Sequence, residues 1–440
     1  MKSGVSIALV GALLAAVLGA PGRARAEDPE PPVVEEILGL LQERGLLDAS
    51  EHDRLVTRYQ EQEADRRSGL PRIRLSGDLR LRGEGFWYDE DAVGDESNRY
   101  RGRYRLRIAA TADVNDYMTA FVRLASGEGN SRSVNTSFGR PGPDFDQDPI
   151  FLDRASLETR APEHWLPAGT TAAVEVGKQP NPFVWKGARD VMLWDNDITP
   201  EGVALRGRSE LAKGLHGFAN AGYFLIDENS SNSDPHVIGA QVGAEYAASV
   251  PLVVGGRVSW YGFRSLDSAF LQRGIDGTDG STNSAGNLPG MVDGGIDVGE
   301  LGAYATWKGL EGWPVTVYGY VANNFSAEQS SLTPEAGSES LAWGAGLELG
   351  DKKHVAQLGV AWLHIEANAF PSMYIDGDFL DGVTNREGLS FWGSRQILPN
   401  TDFNVSLFLS DAIDDALPDF ADSVEGSERL RLQTDVVVAF

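Results

Sequence analysis

The chain has 440 residues, no cysteine, a formal net charge of −26 and a sequence pI near 4.6. No disulfide framework is available, and the acidity argues against nucleic acid as a partner. With 42% hydrophobic residues and a mean hydropathy of −0.25, a helical membrane bundle is excluded; a barrel is not, because only alternate strand residues meet lipid.

Lys2, an apolar run from Val5 to Leu18 and the small-x-small site Ala24-Arg25-Ala26 predict a secretory signal peptide over residues 1–26, cleaved after Ala26. Losing Lys2, Arg23 and Arg25 makes the mature chain more acidic still. Residues 27–71 read as a periplasmic leader and helical segment. Val34, Ile37, Leu38, Leu41 and Leu46-Leu47 recur at helical spacing, with Gly45 interrupting. Asp48 or Ser50 is a candidate cap for a second helix beginning at Glu51 and carrying Leu55, Val56 and Tyr59. A small helical hairpin is the plain reading, and a short self-associating coil the sharper one. Pro71 ends the region.

From Arg72 to the end, residues 72–440, the period becomes two. Ile73, Leu75, Leu79 and Leu81 alternate with Arg72, Arg74, Arg80 and Arg82. Arg99, Arg101, Arg103, Arg105 and Arg107 then alternate with Tyr100, Gly102, Tyr104, Leu106 and Ile108. An arginine facing lipid at mid-depth costs about 2–4 kcal/mol, so this ladder must face water. The fold class predicted is all-β, a transmembrane antiparallel β-barrel of about sixteen strands. The strands fall near 72–84, 99–112, 116–125, 150–160, 170–178, 200–209, 214–226, 236–248, 251–264, 296–308, 314–325, 340–350, 354–366, 388–398, 401–411 and 427–440. Links after odd-numbered strands are long and those after even-numbered strands short, as periplasmic turns and external loops alternate in a barrel. Both termini then fall on the periplasmic side.

The last strand carries Leu430, Leu432, Thr434, Val436, Val438 and Phe440 on one face and Arg429, Arg431, Gln433 and Asp435 on the other. Lipid covers such an apolar face, and pairing with the strand at Arg72 removes the edge. Tyr100, Tyr104, Trp260, Tyr261, Trp307, Tyr318, Tyr320, Trp343, Trp362 and Trp392 fall near strand ends, which suits membrane-interface belts.

The stretches Gly77-Asp-Leu-Arg-Leu-Arg-Gly-Glu84, Arg101-Gly-Arg-Tyr-Arg-Leu-Arg107 and Leu152-Asp-Arg-Ala-Ser-Leu157 resemble the "Putative porin" family of Gram-negative outer membranes. So do Gly177-Lys-Gln-Pro-Asn-Pro-Phe183 and Trp194-Asp-Asn-Asp-Ile-Thr-Pro-Glu-Gly202. Leu41-Gln-Glu-Arg-Gly-Leu-Leu47 is similar to the amino-terminal segments of that family and of phosphate-selective porins. The resemblance implies a porin-like barrel in contact with outer-membrane lipid and lipopolysaccharide, and a homotrimer. Similarity to other outer-membrane proteins implies that Phe440 is an assembly signal read by the barrel-assembly machinery.

No Gly-x-Ser-x-Gly, His-Glu-x-x-His or cysteine nucleophile is present, and His164, His216, His236, His354 and His364 are scattered, so no enzyme, cofactor or metal site is expected. In a pore, function resides in charge at the narrowest point. The predicted pore-lining residues are Arg72, Arg74, Arg80, Arg82, Arg99, Arg101, Arg103, Arg105 and Arg107, acting either as an anion path or as a wall paired with acidic groups. The loop 179–199 is too apolar for solvent. Folded inward, it would pack Phe183, Trp185, Met192 and Trp194 on the wall and project Lys186, Arg189, Asp190, Asp195 and Asp197 as a constriction. The acidic stretches Asp89 to Glu96, Asp144 to Asp148 and Asp376 to Asp381 read as solvated external loops that meet lipopolysaccharide through shared cations. The function expected is passive diffusion of small hydrophilic solutes. The alternatives are a substrate-specific channel for phosphate, carboxylates or acidic saccharides, and a plugged barrel with an enzymatic or adhesive role.

Overall fold

The computed structural model describes residues 33–44, 46–67, 72–88, 98–129, 131–139, 146–184, 193–228, 230, 233–247, 251–265, 295–327, 338–379, 382–413 and 429–440. The chain divides into two units, residues 1–73 with 112–117 and residues 74–111 with 118–440. The first contains α1 (Val33–Glu43) and α2 (Ala49–Arg67). Asp48 is the cap chosen at the start of α2. The Glu51 N–H donates to Asp48 Oδ1 at 2.8 Å and the Asp48 N–H to Glu51 Oε2 at 3.2 Å, a reciprocal capping box. The expected signal peptide and Gly45 lie outside the described residues.

The second unit is an antiparallel sheet closed on itself. Its sixteen strands are β1 (Arg72–Tyr88), β2 (Arg99–Asp113), β3 (Met118–Ser126), β4 (Ile150–Arg160), β5 (Thr170–Lys178), β6 (Glu201–Ala212), β7 (Leu215–Leu225), β8 (His236–Ala247), β9 (Leu252–Arg264), β10 (Ile296–Trp307), β11 (Val315–Asn324), β12 (Leu341–Gly350), β13 (Gln357–Ile365), β14 (Arg386–Leu398), β15 (Thr401–Ala412) and β16 (Arg429–Ala439). Each matches an expected strand, with ends moved by a few residues; β1, for instance, runs on to Tyr88 instead of stopping at residue 84. Consecutive strands pair, and β16 closes against β1 in a register from Asp78↔Ala439 to Tyr88↔Arg429. A two-residue strand, Thr136–Ser137, adds to β2 opposite Arg103 and Tyr104.

Alternation decides which way each side chain points. On β1, Leu75 (76% exposed), Leu79 and Leu81 face outward, while Arg82, Glu84 and Phe86 are buried inside. On β16, Val438 and Phe440 are exposed, whereas Arg429, Arg431, Gln433 and Asp435 are buried. The closing seam has one tight point. Gly77 and Phe440 exchange both backbone hydrogen bonds, at 2.8 and 3.0 Å, and a Cβ on Gly77 would lie 2.5 Å from the Phe440 ring and 2.6 Å from the Arg107 carbonyl. Only glycine lets the terminal ring cross the seam.

The interior is not uniformly polar. One part of the wall holds the arginines of β1, β2 and β16. Another holds a buried apolar cluster including Phe224, Val237, Tyr261, Phe263, Ile296, Val298, Leu363 and Ile365. This corrects the aromatic belts. Tyr100, Trp260, Trp307 and Trp343 are exposed on the outside as expected, but Tyr261, Tyr318, Tyr320 and Trp392 are buried. Phe183, Trp194 and Phe370 of the inward loops cover Tyr261, whose hydroxyl donates to Glu300 at 2.8 Å. The rings of Tyr318, Tyr320 and Trp392 lie over Gly346, Gly344 and Gly359 of neighbouring strands.

Candidate functional site

The arginine ladder is a paired wall. Arg82, Arg103 and Arg105 are buried; Arg80, Arg101 and Arg107 are half-buried; Arg72, Arg74 and Arg99, toward the strand ends, are exposed. Asp78 on β1 receives Arg105 Nη2 at 2.8 Å and Arg107 Nε at 2.7 Å from β2. Glu84 receives Arg101 from β2 and Arg431 Nη2 from β16, the latter at 2.8 Å. Arg82 lies in a fork with Asp435, Nε to Oδ1 at 2.7 Å and Nη2 to Oδ2 at 2.9 Å. Because inward residues repeat every second position and the strands pair in register, cross-strand neighbours of opposite charge face each other. Such planar, bidentate contacts suit guanidinium better than ammonium, and this wall uses arginine throughout.

Three loops reach this interior. In the loop 179–200, Phe183, Leu193, Trp194, Asp195 and Ile198 are buried. Trp194 packs edge-on against Tyr261 (5.5 Å between centroids) and Phe370 (5.1 Å). Asp197 is half-buried, with Oδ1 3.9 Å from Arg107 Nη1 on the ladder. Trp185, Lys186, Arg189, Asp190 and Met192 lie outside the described residues.

The loop 366–385, between β13 and β14, crosses the interior. Phe370 packs edge-on against Phe263 of β9 at 5.5 Å, and Tyr374 stacks on the same ring at 5.7 Å. Asp378 then reaches the arginine wall. Arg82 Nη1 donates to both its carboxylate oxygens at 3.0 Å, Arg431 Nη2 to Oδ1 at 3.1 Å and Gln433 Nε2 to Oδ1 at 3.0 Å. The acidic stretch from Asp376 is therefore not a solvated external loop. Asp376 is buried and accepts from the N–H groups of Asp378 (2.9 Å) and Phe379 (2.8 Å), forming the turn that presents Asp378; Asp381 lies outside the described residues.

The third loop, 127–149, supplies a staple. Buried Arg132 donates through Nη1 to the carbonyls of Ser372 (2.9 Å), Ile375 (3.1 Å) and Gly382 (2.7 Å). Gly382 has φ +77°, and a Cβ there would lie 2.2 Å from that nitrogen. The inward loops also meet one another, the Asp195 N–H donating to the Tyr374 carbonyl and the Gly377 N–H to Asp195 Oδ2, each at 2.8 Å.

The two loop carboxylates are shifted in opposite directions. Burial, then Asp376 and Asp197, push Asp195 well above the ordinary aspartate range. Burial would also raise Asp378, but Arg82, Arg431 and Arg80 overcome it and hold that carboxyl well below. Sequence reasoning missed Arg132 and Asp378. The signal was there: Phe370, Met373, Tyr374, Ile375 and Phe379 make this loop as apolar as 179–199. No cluster of metal-ligating groups occurs among the described residues.

Residues 92–287 match the family model described as "Putative porin". OprB of Pseudomonas putida aligns with 87% of this chain and 97% of its own, at a TM-score of 0.51 and 7% identity. The barrel has a porin fold. A triple mutant of the Rhodopseudomonas blastica porin aligns with 84% of this chain and 100% of its own, at a TM-score of 0.42 and 10% identity. Curated protein sequences give no match. Both the matched family model and the shared fold are those of porins.

Proposed function

We propose that this porin conducts small hydrophilic solutes passively, with the arginine wall and the inward loops setting selectivity. The observation that carries the reading is the juxtaposition of loop carboxylates, Asp378 and Asp197, with sheet-fixed Arg82, Arg431 and Arg107. Opposite charges across an aqueous constriction set a transverse field, which favours small polar solutes over apolar ones. The ladder arginines from Arg72 to Arg107 are the lining in this reading, and the loops 179–200 and 366–385 share the constriction. The short links after even strands support periplasmic termini, with α1 and α2 on the same side. Phe440 is the assembly signal, lipopolysaccharide the outer-leaflet neighbour and a homotrimer the assembled state.

Single-channel recording in planar bilayers tests the reading: steady ohmic steps are expected. The packing of three loops in the interior favours one rival, a plugged barrel, and a purified, folded protein that never conducts would establish it. Heat-dependent gel mobility reads the oligomer. Deletion of Phe440 is expected to lower the yield of folded barrel more than the conductance of the channels that form.

A further inference from the structure

We infer that Arg82, Arg431 and Gln433 form a binding site for a small oxyanion, a carboxylate or phosphate in transit, and that Asp378 occupies it as a built-in stand-in. The inference rests on the channel reading above and names the solute chemistry and the residue that regulates it.

The cradle belongs to the sheet. β1 and β16 are hydrogen-bonded neighbours, so its donors keep their places whatever the loop does. Their side chains are almost wholly buried: Arg82 is 6% exposed, Arg431 4% and Gln433 3%. Two carboxylates in the same strands orient them. Asp435 takes Nε and Nη2 of Arg82, and Glu84 takes Nη2 of Arg431. Arg82 Nη1 still points at the position that the two Asp378 oxygens fill, and guanidinium donors converging from neighbouring strands suit an oxyanion.

Asp378 differs from Asp435 and Glu84 in being on a loop and in keeping 38% of its side-chain surface, whereas Glu84 keeps none and Asp435 11%. It is the carboxylate of the three that a solute anion can reach and displace. Further donor capacity lies beside it: Arg80 Nε is buried and meets no acceptor among the described residues. Without Asp378, the wall of Arg80, Arg82, Arg101, Arg103 and Arg431 faces Glu84 and Asp435, leaving an excess of positive charge.

The loop does not depend on the Asp378 carboxylate for its place. Arg431 Nη1 donates to the carbonyls of Gly377 (2.8 Å) and Asp378 (3.0 Å), and Phe379 packs on Phe408 at 5.8 Å. A side-chain change at Asp378 therefore opens the cradle without releasing the loop.

The test uses the full-length protein in detergent and in planar bilayers, with inorganic phosphate and acetate as probes. Asp378→Ala vacates the position; Asp378→Asn removes its charge but keeps its volume. Phosphate is expected to raise the melting temperature of the Ala variant in a saturable way, and acetate to do so more weakly. Little response is expected of the unaltered protein, and none of the Ala variant that also carries Arg431→Gln. In bilayers, reversal potentials in a salt gradient should shift both single variants toward anions by about threefold or more in permeability ratio. Channels that conduct normally, with no phosphate effect on the Ala variant and no shift in ion preference, overturn the inference. Phosphate stabilisation in a barrel that never conducts sustains the site and sinks the channel reading instead.

Discussion

Replacing Arg132 with methionine should loosen the loop 366–385 while leaving the barrel wall intact. Methionine keeps most of the apolar stem and removes the guanidinium. The carbonyls of Ser372, Ile375 and Gly382 then lose a charged donor at 2.7–3.1 Å in a buried place. One hydrogen bond to a charged group contributes about 1.5–3 kcal/mol. A single nitrogen shared among three acceptors is worth less than three such bonds, and relief from burying the charge, which depresses the Arg132 pKa, offsets part of the loss. The net is about 2–3 kcal/mol against the docked loop, roughly a 30- to 150-fold shift in its local equilibrium. No strand hydrogen bond is touched, so the global unfolding midpoint should stay nearly constant. Limited chymotrypsin digestion of reconstituted protein reads the difference, with faster cleavage at Phe370, Tyr374 or Phe379 and noisier single-channel currents. Unchanged protection and quiet currents would refute the staple.

Gly77→Leu should prevent closure of the seam, because the Arg107 carbonyl 2.6 Å from the new Cβ is backbone and cannot swing away; loss of the heat-modifiable folded band on gels is the readout. Leu81→Arg, on the outward face, should cost about 2–4 kcal/mol in denaturant titrations in lipid, and a neutral outcome would mean that the facing of β1 is wrong. Asp195 has a raised folded-state pKa, so its contribution to loop docking is fully present below the ordinary 3.8 and is lost as pH rises through the higher folded value. Asp195→Asn should flatten the pH dependence of chymotrypsin protection above pH 3.8. Asp378 has the opposite sign: its ion pairs with Arg82 and Arg431 are lost only in acid below that value.

The wall was legible because its period is two and its penalties are large. An arginine every second residue from Arg99 to Arg107 admits one orientation in a membrane, and that orientation fixes the facing of Tyr100 through Ile108 as well. Loop parity needed only lengths. The pairing partners were less readable, since charge alternation says which face an arginine is on but not which carboxylate meets it. That Asp78 takes Arg105 and Arg107 while Glu84 takes Arg101 and Arg431 follows from registers known only once the sheet has closed.

The interior loops hid for a different reason. Asp376-Gly-Asp378 has the composition of a solvated turn, and locally it is a turn, with Asp376 accepting from two N–H groups. What places it inside is distant: Phe263 on β9, Trp194 on another loop and Arg431 at the far end of the chain. The apolar residues on the inner face of β9, Tyr261 and Phe263, are the readable trace of that event. In a water-filled barrel an inward phenylalanine has no partner, so a strand apolar on both faces already implies that something folds in to cover it. The two halves of the interior then divide the work. The aromatic half fixes the position of the loop through burial, which salt does not screen. The arginine half can therefore keep Asp378 partly exposed, as a charge that solutes can test.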